Sequence, residues 1–291
     1  MTKRGGSAVT ANRSPGVHRR RLAAAIRRLR AESGLTAGEV AKRMGWSAGP
    51  RLTRMERNEW KFPKRDEIAR LLDIYDVPDE QREHLLSLAE ESRGRSDWHQ
   101  YADLFPGSLP DLEAEATRIR SYEALAIPGL LQTPSYSKAI FESGGIVPAE
   151  DTQRKVESRM ARRSVLDAPS GPQLICVIDE AALRRVVGSA EVMAEQLRFL
   201  QGMAAHYKVT LLVVPFDAGA HTAMDGAFSL IDFPSPEPGI VSISTGVESL
   251  YVEDEAYVDR HTLIFDAVHN LALAPRQSLD YIGSIAAEYD K

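Results

Sequence analysis

Thr36-Ala37-Gly38-Glu39 constrains this chain more than any other short run in it. A threonine followed three positions later by glutamate is a capping box. The hydroxyl accepts from the amide at 39, while the carboxylate reaches back to the amide at 36. Leu35 and Val40 flank the box at the two positions of a hydrophobic staple. A helix therefore begins at 37, and Gly45 ends it after about two turns. Upstream, Leu22, Ile26 and Leu29 fall at i, i+4 and i+7, predicting a helix that stops at Ser33-Gly34. Residues 1–16 are rich in Gly, Ser, Thr and Ala and predict a disordered tail. Downstream, Leu52 and Met55 point inward from a third helix. A fourth carries Ile68, Leu71, Leu72 and Tyr75, and Asp76-Val77-Pro78 breaks it. A fifth, over 79–92, carries Leu85, Leu86, Leu88 and Ala89. Two short helices joined by a tight glycine turn inside such a bundle match the helix-turn-helix pattern.

Charge says what this bundle meets. Residues 1–65 hold 17 Lys and Arg against 4 Asp and Glu, a net of +13. The other residues carry a net of −18, which the overall −5 conceals. A polycation at one end only implies an anionic polymer as that end's partner, and double-stranded DNA fits. The second helix of the motif lies in the major groove. Arg51 and Arg54 stand beside Leu52 and Met55 on its outward side, where a guanidinium can bond guanine O6 and N7 bidentately. Thr36, Ser47, Thr53, Arg57, Lys61 and Lys64 complete the expected DNA-binding set, and Arg20 and Lys64 are expected on phosphates.

The runs Arg20-Arg21-Leu22, Leu35-Thr36, Glu39-Val40-Ala41, Gly45-Trp46-Ser47 and Arg54-Met55-Glu56 resemble the XRE (Cro/repressor-type) helix-turn-helix family over residues 17–92. One departure stands out: Ala48-Gly49-Pro50 adds a residue between the glycine turn and the third helix. Either Gly49 caps that helix with Pro50 at its first position, or Ser47 caps an earlier start. The base-reading register shifts by one between the two.

Ser92-Arg93-Gly94-Arg95-Ser96 reads as a linker. The fold class expected for the whole chain is a mainly α N-terminal helix-turn-helix bundle followed by an α+β C-terminal domain over 98–291. The pattern predicts a helix over 113–125, with Ala116, Ile119 and Tyr122 on one face. That stripe, with Leu130 and Leu131, reads as core. Thr133 is a good N-cap with Pro134 at the first helical position, and a long polar helix follows over 149–166. Strands are predicted at 174–178, 209–214, 227–232, 240–244 and 249–252, and helices at 180–187, 190–205, 254–273 and 276–289.

Residues 127–133 (IPGLLQT), 179–185 (DEAALRR), Gln196-Leu197, Val214-Pro215-Phe216 and Gly226-Ala227-Phe228 are similar to the uncharacterised C-terminal domain of many actinomycete XRE regulators of the WhiJ-like type, over about 98–290. The resemblance implies a developmental or stress regulator. Some relatives work with a small companion protein, in a toxin–antitoxin-like arrangement.

Catalytic motifs are absent: no G-x-S-x-G, no H-E-x-x-H and no Walker loop. One cysteine, Cys176, excludes an intrachain disulfide and lies in an apolar run where it packs as a small hydrophobe. His261 and His269 stand two turns apart, too far to share a metal unaided. The Asp179-Glu180 pair reads as a helix start. No catalytic residue, cofactor or metal is expected. The loop 217–226, read as a hairpin between two strands, is the stretch to watch. Gln132, His221 and Asp225 are the candidate ligand or partner residues. The longest largely apolar run, 209–216, is too short to span a membrane, and the polar N-terminus lacks a leader's apolar core. A cytoplasmic, nucleoid-associated protein is expected.

The expected function is a sequence-specific transcription regulator. Its second domain senses a ligand or a companion protein and dimerises through the closing helices, using Leu263, Ile264, Leu271, Leu279 and Ile282. An antitoxin-like holder of a partner protein, and an enzyme carrying a basic DNA-binding module, are the alternatives.

Overall fold

The punctuation read from residues 33–46 is what the first unit is built on. The computed structural model describes residues 15–46, 50–58, 60, 63–93, 109–145, 147–235, 237–244 and 249–290. The chain divides into two units, Met1–His99 and Gln100–Lys291. The first contains α1 (Pro15–Ser33), α2 (Ala37–Met44), α3 (Pro50–Glu56), α4 (Arg65–Ile74) and α5 (Asp79–Glu91). Most of the expected tail, residues 1–14, lies outside the described residues, but Pro15 and Gly16 open α1 rather than end the tail. A proline fits a helix's first turn, because its missing N–H has no partner there in any case.

Both halves of the capping box form. Thr36 Oγ1 accepts from the Glu39 amide at 3.3 Å, and the Thr36 amide donates to Glu39 Oε2 at 2.8 Å. These bonds hold the exposed Glu39 carboxyl below the usual carboxylate range. At the other end Gly45 takes φ 72°, with Gly45 N bonding Lys42 O and Trp46 N bonding Ala41 O. That pair of bonds is a Schellman motif, and it needs a left-handed residue where it turns. Asp76 does the same after α4, with φ 51° and Val77 N bonded to Leu72 O. The predicted apolar positions of all five helices meet in one core: Leu22 and Ile26, Val40 and Met44, Leu52 and Met55, Ile68 and Leu72, Leu85 and Leu88.

The second unit is α+β. After α6 (Leu109–Glu115) come β1 (Arg118–Glu123), α7 (Pro134–Glu142), α8 (Ala149–Arg163) and β2 (Gln173–Asp179). Then follow α9 (Glu180–Arg184), α10 (Ala190–Met203), β3 (Val209–Val214), β4 (Phe228–Asp232), β5 (Ile240–Ser244) and β6 (Ser249–Val252). The chain closes with α11 (Glu255–Leu271) and α12 (Pro275–Glu288). The six strands form one sheet in the order β3-β2-β1-β4-β5-β6. β1, β2 and β3 are parallel, and β4, β5 and β6 form an antiparallel extension.

Two expectations fail here. Residues 118–123 are not helical; they are a central strand of the sheet. Ile119 and Tyr122 are both buried, yet they leave the strand on opposite faces. The spacing misled because both faces of β1 are covered and its polar residues are paired across the sheet. Arg118 and Arg120 both bond Asp232 on β4, at 2.8 and 3.0 Å. Neither is the segment 217–226 a hairpin, because β2 and β1 lie between β3 and β4. It is a crossover passing the C-terminal ends of those two strands.

One face of the sheet, carrying Tyr122, Val177, Leu212, Phe228, Leu230 and Val241, packs on Phe265 and Val268 of α11. Ile282 of α12 is fully buried, whereas Leu263 and Leu271 of α11 are 68% and 45% exposed. The apolar residues of the closing helices are thus divided between the module's own core and its surface.

Candidate nucleic-acid interface

The second helix of the motif is anchored to α1 by a partly buried ion pair. Glu56 at the end of α3 accepts from Arg30 of α1 through both oxygens, at 2.5 and 3.0 Å. The bonded carboxylate raises the Arg30 guanidinium above its ordinary value. Leu52 and Met55 face inward beside this pair. What α3 turns outward follows from its period. Thr53 is half-buried, and Arg54 and Arg57 are exposed. The Arg57 amide still bonds Thr53 O at 3.1 Å, so Arg57 stays on the helical path just beyond α3. Among the described residues neither Arg54 nor Arg57 has a side-chain hydrogen bond or ion pair.

Arg51 is held differently. Its guanidinium is ion-paired to Glu67 of α4 and lies over the Trp46 ring, 5.0 Å from the centroid. Pro50 is the first residue of α3, as one of the two register readings expected, but the residues that decide its cap, 47–49, lie outside the described residues. Ser47 and Lys61 therefore fall outside them too. Thr36 is exposed at the start of α2, and Lys64 is exposed at the N-cap of α4. Arg20 is buried at 7% exposure, so it is not the surface cation expected on phosphates.

In the second unit the three candidate ligand residues do not meet. Asp225 is exposed on the crossover. His221 is folded inward. Its Nδ1 accepts from the Ala223 amide at 3.3 Å, which puts the proton of the neutral ring on Nε2. Nε2 lies 3.4 Å from the Tyr122 hydroxyl and 3.6 Å from Asp179 Oδ2. The Tyr122 hydroxyl donates to Asp179 at 3.2 Å, while Asp179 Oδ1 caps α9 through the Ala181 amide. Burial and the Asp179 charge push the Tyr122 phenol up. The cluster clasps the crossover onto the ends of β1 and β2, and both Asp179 oxygens have partners.

Gln132 is buried instead on the other side of the sheet. Its amide nitrogen donates to Ile127 O, and its oxygen accepts from Ser137 and from Arg159, both at under 3 Å. It lines a cavity of about 280 Å³ together with Arg159, Arg162 and Glu123. Composition and spacing gave no sign of this cavity, because its lining comes from segments far apart in sequence. Among the described residues no group of three or more His, Cys, Asp and Glu is placed to hold a metal ion. None of their helices is long and apolar enough to cross a membrane.

Residues 21–85 match the family model of the helix-turn-helix domain. Residues 107–284, well over half of the chain, match the model described as Domain of unknown function (DUF5753). No curated protein and no solved structure matches the chain. The first match covers the α2–turn–α3 unit, which supports a DNA-binding regulator of the helix-turn-helix type. By the extent and position of the second match, the chain belongs to the DUF5753 family, here carried behind a helix-turn-helix domain.

Proposed function

We propose that the chain is a sequence-specific transcription regulator that reads operator DNA chiefly through Arg54 and Arg57, with Thr53 beside them. The observation that carries this reading is the exposure of both guanidiniums, i and i+3 on the outward side of α3, opposite Leu52 and Met55. Residues at that spacing share one helix face. Arg51 braces the helix through Glu67 and Trp46, and Thr36, Ser47, Lys61 and Lys64 meet the phosphate backbone. Two such modules bind half-sites about 34 Å apart as a homodimer. The exposed Leu263 and Leu271 of α11 are the apolar contact available for the twofold interface. The second module binds rather than catalyses, and it senses a small molecule or a companion protein inside the cytoplasm.

The test is a genomic footprint of the full chain, followed by binding to a recovered site and to random duplex. Arg54→Ala should cost about 1–3 kcal/mol on the recovered site and relax the preference at one base position. Arg51→Ala should weaken both duplexes by a similar factor. Affinity for either should fall steeply with salt as counterions are released. Equal losses on both duplexes from Arg54→Ala and Arg57→Ala would overturn the assignment of α3 as the base-reading helix.

A second reading, that the main task is holding a partner protein, draws on three exposed apolar residues. Leu125 follows β1, while Phe216 and Met224 belong to the segment after β3, all at the same end of the parallel strands. Copurification of a small protein that Phe216→Ser and Met224→Ser abolish, with DNA binding intact, would favour it.

A further inference from the structure

The face of the sheet opposite α11 changes character along one line of register. Moving across the strands, Leu211 stands opposite Cys176, Cys176 opposite Ser121, Ser121 opposite Ser229, and Ser229 opposite Ser242. Directly opposed residues share a face. The row is thus apolar on β3 and β2 and becomes a row of hydroxyls on β1, β4 and β5. Those three serines line the cavity, together with Ser244 further along β5. Ser121 and Ser242 are 3% and 4% exposed. The Ser121 Oγ has no hydrogen-bond partner beyond the adjacent Cys176 thiol. A buried hydroxyl short of partners is costly, so Ser121, with Ser229 and Ser242 beside it on the same row, calls for an occupant that bonds it.

The rest of the lining says what that occupant carries. Arg162 is spent on Glu113, which it bonds through both oxygens at 2.7 and 2.8 Å. Arg159, one α-helical turn earlier, bonds no carboxylate among the described residues. It donates to the neutral Gln132 and lies over the Phe141 ring at 4.6 Å. Burial lowers its guanidinium to about 10, so it stays charged at neutral pH. Glu123, also on the lining, is raised by burial to about 8 against the pull of Arg159 and Arg162, so it carries its proton at neutral pH. Among the described residues one guanidinium charge is left without a bonded counterion. Ile119, Leu130, Leu174 and Ile231 add apolar wall to the same cavity. At about 280 Å³ the space suits a small molecule and no polymer.

We propose that this cavity is the ligand site of the second module and takes a small hydroxylated organic acid, with its carboxylate on Arg159 and its hydroxyl on the row Ser121, Ser229, Ser242. The proposal deepens the sensing reading above and rests on it only for the effect of that ligand on DNA.

The test uses the full chain with labelled isoleucine and leucine methyls, titrated with 4-hydroxybenzoate and with mandelate. 4-Hydroxybenzamide, the neutral isostere, and inorganic phosphate are the controls. At least one acid should shift the Ile119 and Ile231 methyls saturably at millimolar concentration or below. The amide should bind at least about tenfold more weakly, because it lacks the charge-assisted bond to the guanidinium. Phosphate alone should leave both methyls unmoved. Arg159→Gln should weaken the acid at least about tenfold and leave the amide unchanged, and Arg159→Lys should fall between. Should Arg159→Gln fail to fold, the acid-to-amide ratio on the unaltered chain decides alone. Absence of saturable shifts with both acids, or equal binding of acid and amide, overturns the site. DNA affinity is measured on the same samples. An acid that binds without altering it upholds the site and overturns the sensing reading alone.

Discussion

Glu56 shows how much of a binding surface rests on a residue that never touches the ligand. Its carboxylate is buried and joins α3 to Arg30 of α1 by two bonds. Glu56→Ala strands a guanidinium that is itself only a quarter exposed. The expected cost is about 2–4 kcal/mol, below that of a fully buried pair because water reaches Arg30. Tryptophan fluorescence reads this cleanly, since all three tryptophans, at 46, 60 and 98, precede residue 100. A urea midpoint that does not move would show that the pair contributes nothing. In the second unit Glu123, on the lining of the cavity, is a carboxyl of the opposite kind. Its folded-state value of about 8 lies above the unfolded value of about 4.3. The folded state therefore holds the proton more tightly, and stability is lost as pH rises through that interval. Arg159 and Arg162 of α8, Tyr136 of α7 and Cys176 of β2 are the titratable neighbours, and the guanidiniums act to lower it. Glu123→Gln removes this titration. The melting temperature of the variant should gain on that of the unaltered chain between about pH 5 and about pH 9, followed by far-ultraviolet circular dichroism. A constant difference across that range would contradict the buried, protonated carboxyl.

At the scale of elements, α2 and β1 are opposite cases. α2 has only eight residues, too few to be stable alone, and is fixed by its ends. Thr36→Ala removes the hydroxyl that receives the Glu39 amide and should cost about 1 kcal/mol. Thr36→Asp, which keeps an acceptor at the N-cap, should recover most of it. The same tryptophan signal measures both, and an alanine variant as stable as the parent would mean the box is idle. β1 owes nothing to its ends. Its order comes from two neighbouring strands and from Asp232, which bonds Arg118 and Arg120 together. The crossover after β3 is likewise held by what lies beneath it, the Tyr122–Asp179–His221 cluster.

For the whole molecule, two separate cores imply two unfolding events. The apolar cluster of the helical unit and that of the sheet share no residue. Tryptophan fluorescence and far-ultraviolet circular dichroism should therefore give non-coincident urea transitions, with the fluorescence change completed in one of them. Full coincidence would mean that the units unfold as one. The charge division carries over to function: Met1–His99 has 21 Lys and Arg against 14 Asp and Glu, net +7, and Gln100–Lys291 has a net of −12, which concentrates DNA affinity at one end. The homodimer is tested at this scale as well. Leu263→Lys should shift the full chain from dimer to monomer in sedimentation at micromolar concentration, because it places a charge in the proposed seam. A dimer unchanged by that substitution moves the twofold contact away from α11.

What the sequence determined by itself is whatever is decided within one turn of the chain. The capping box, the Gly45 stop, the Thr133 and Asp179 caps and five of the six strands rest on neighbours a few residues apart. So do the inward positions of α1 to α5, since a helical period of 3.6 places them without knowledge of the partner. The basic module and its outward arginines were legible for the same reason. The tertiary structure decided everything whose cause lies far along the chain. β1 was misread because Arg118 and Arg120 find their counter-charge at Asp232, more than a hundred residues away. Arg51 looked equivalent to Arg54 until Glu67 and Trp46 were placed against it. His221 stood out as a ligand candidate, yet folding spends it on Tyr122 and Asp179. The cavity had no signal at all: Ser121, Ser229 and Ser242 become a row only through strand register, and register is set by pairing between segments that no local pattern connects.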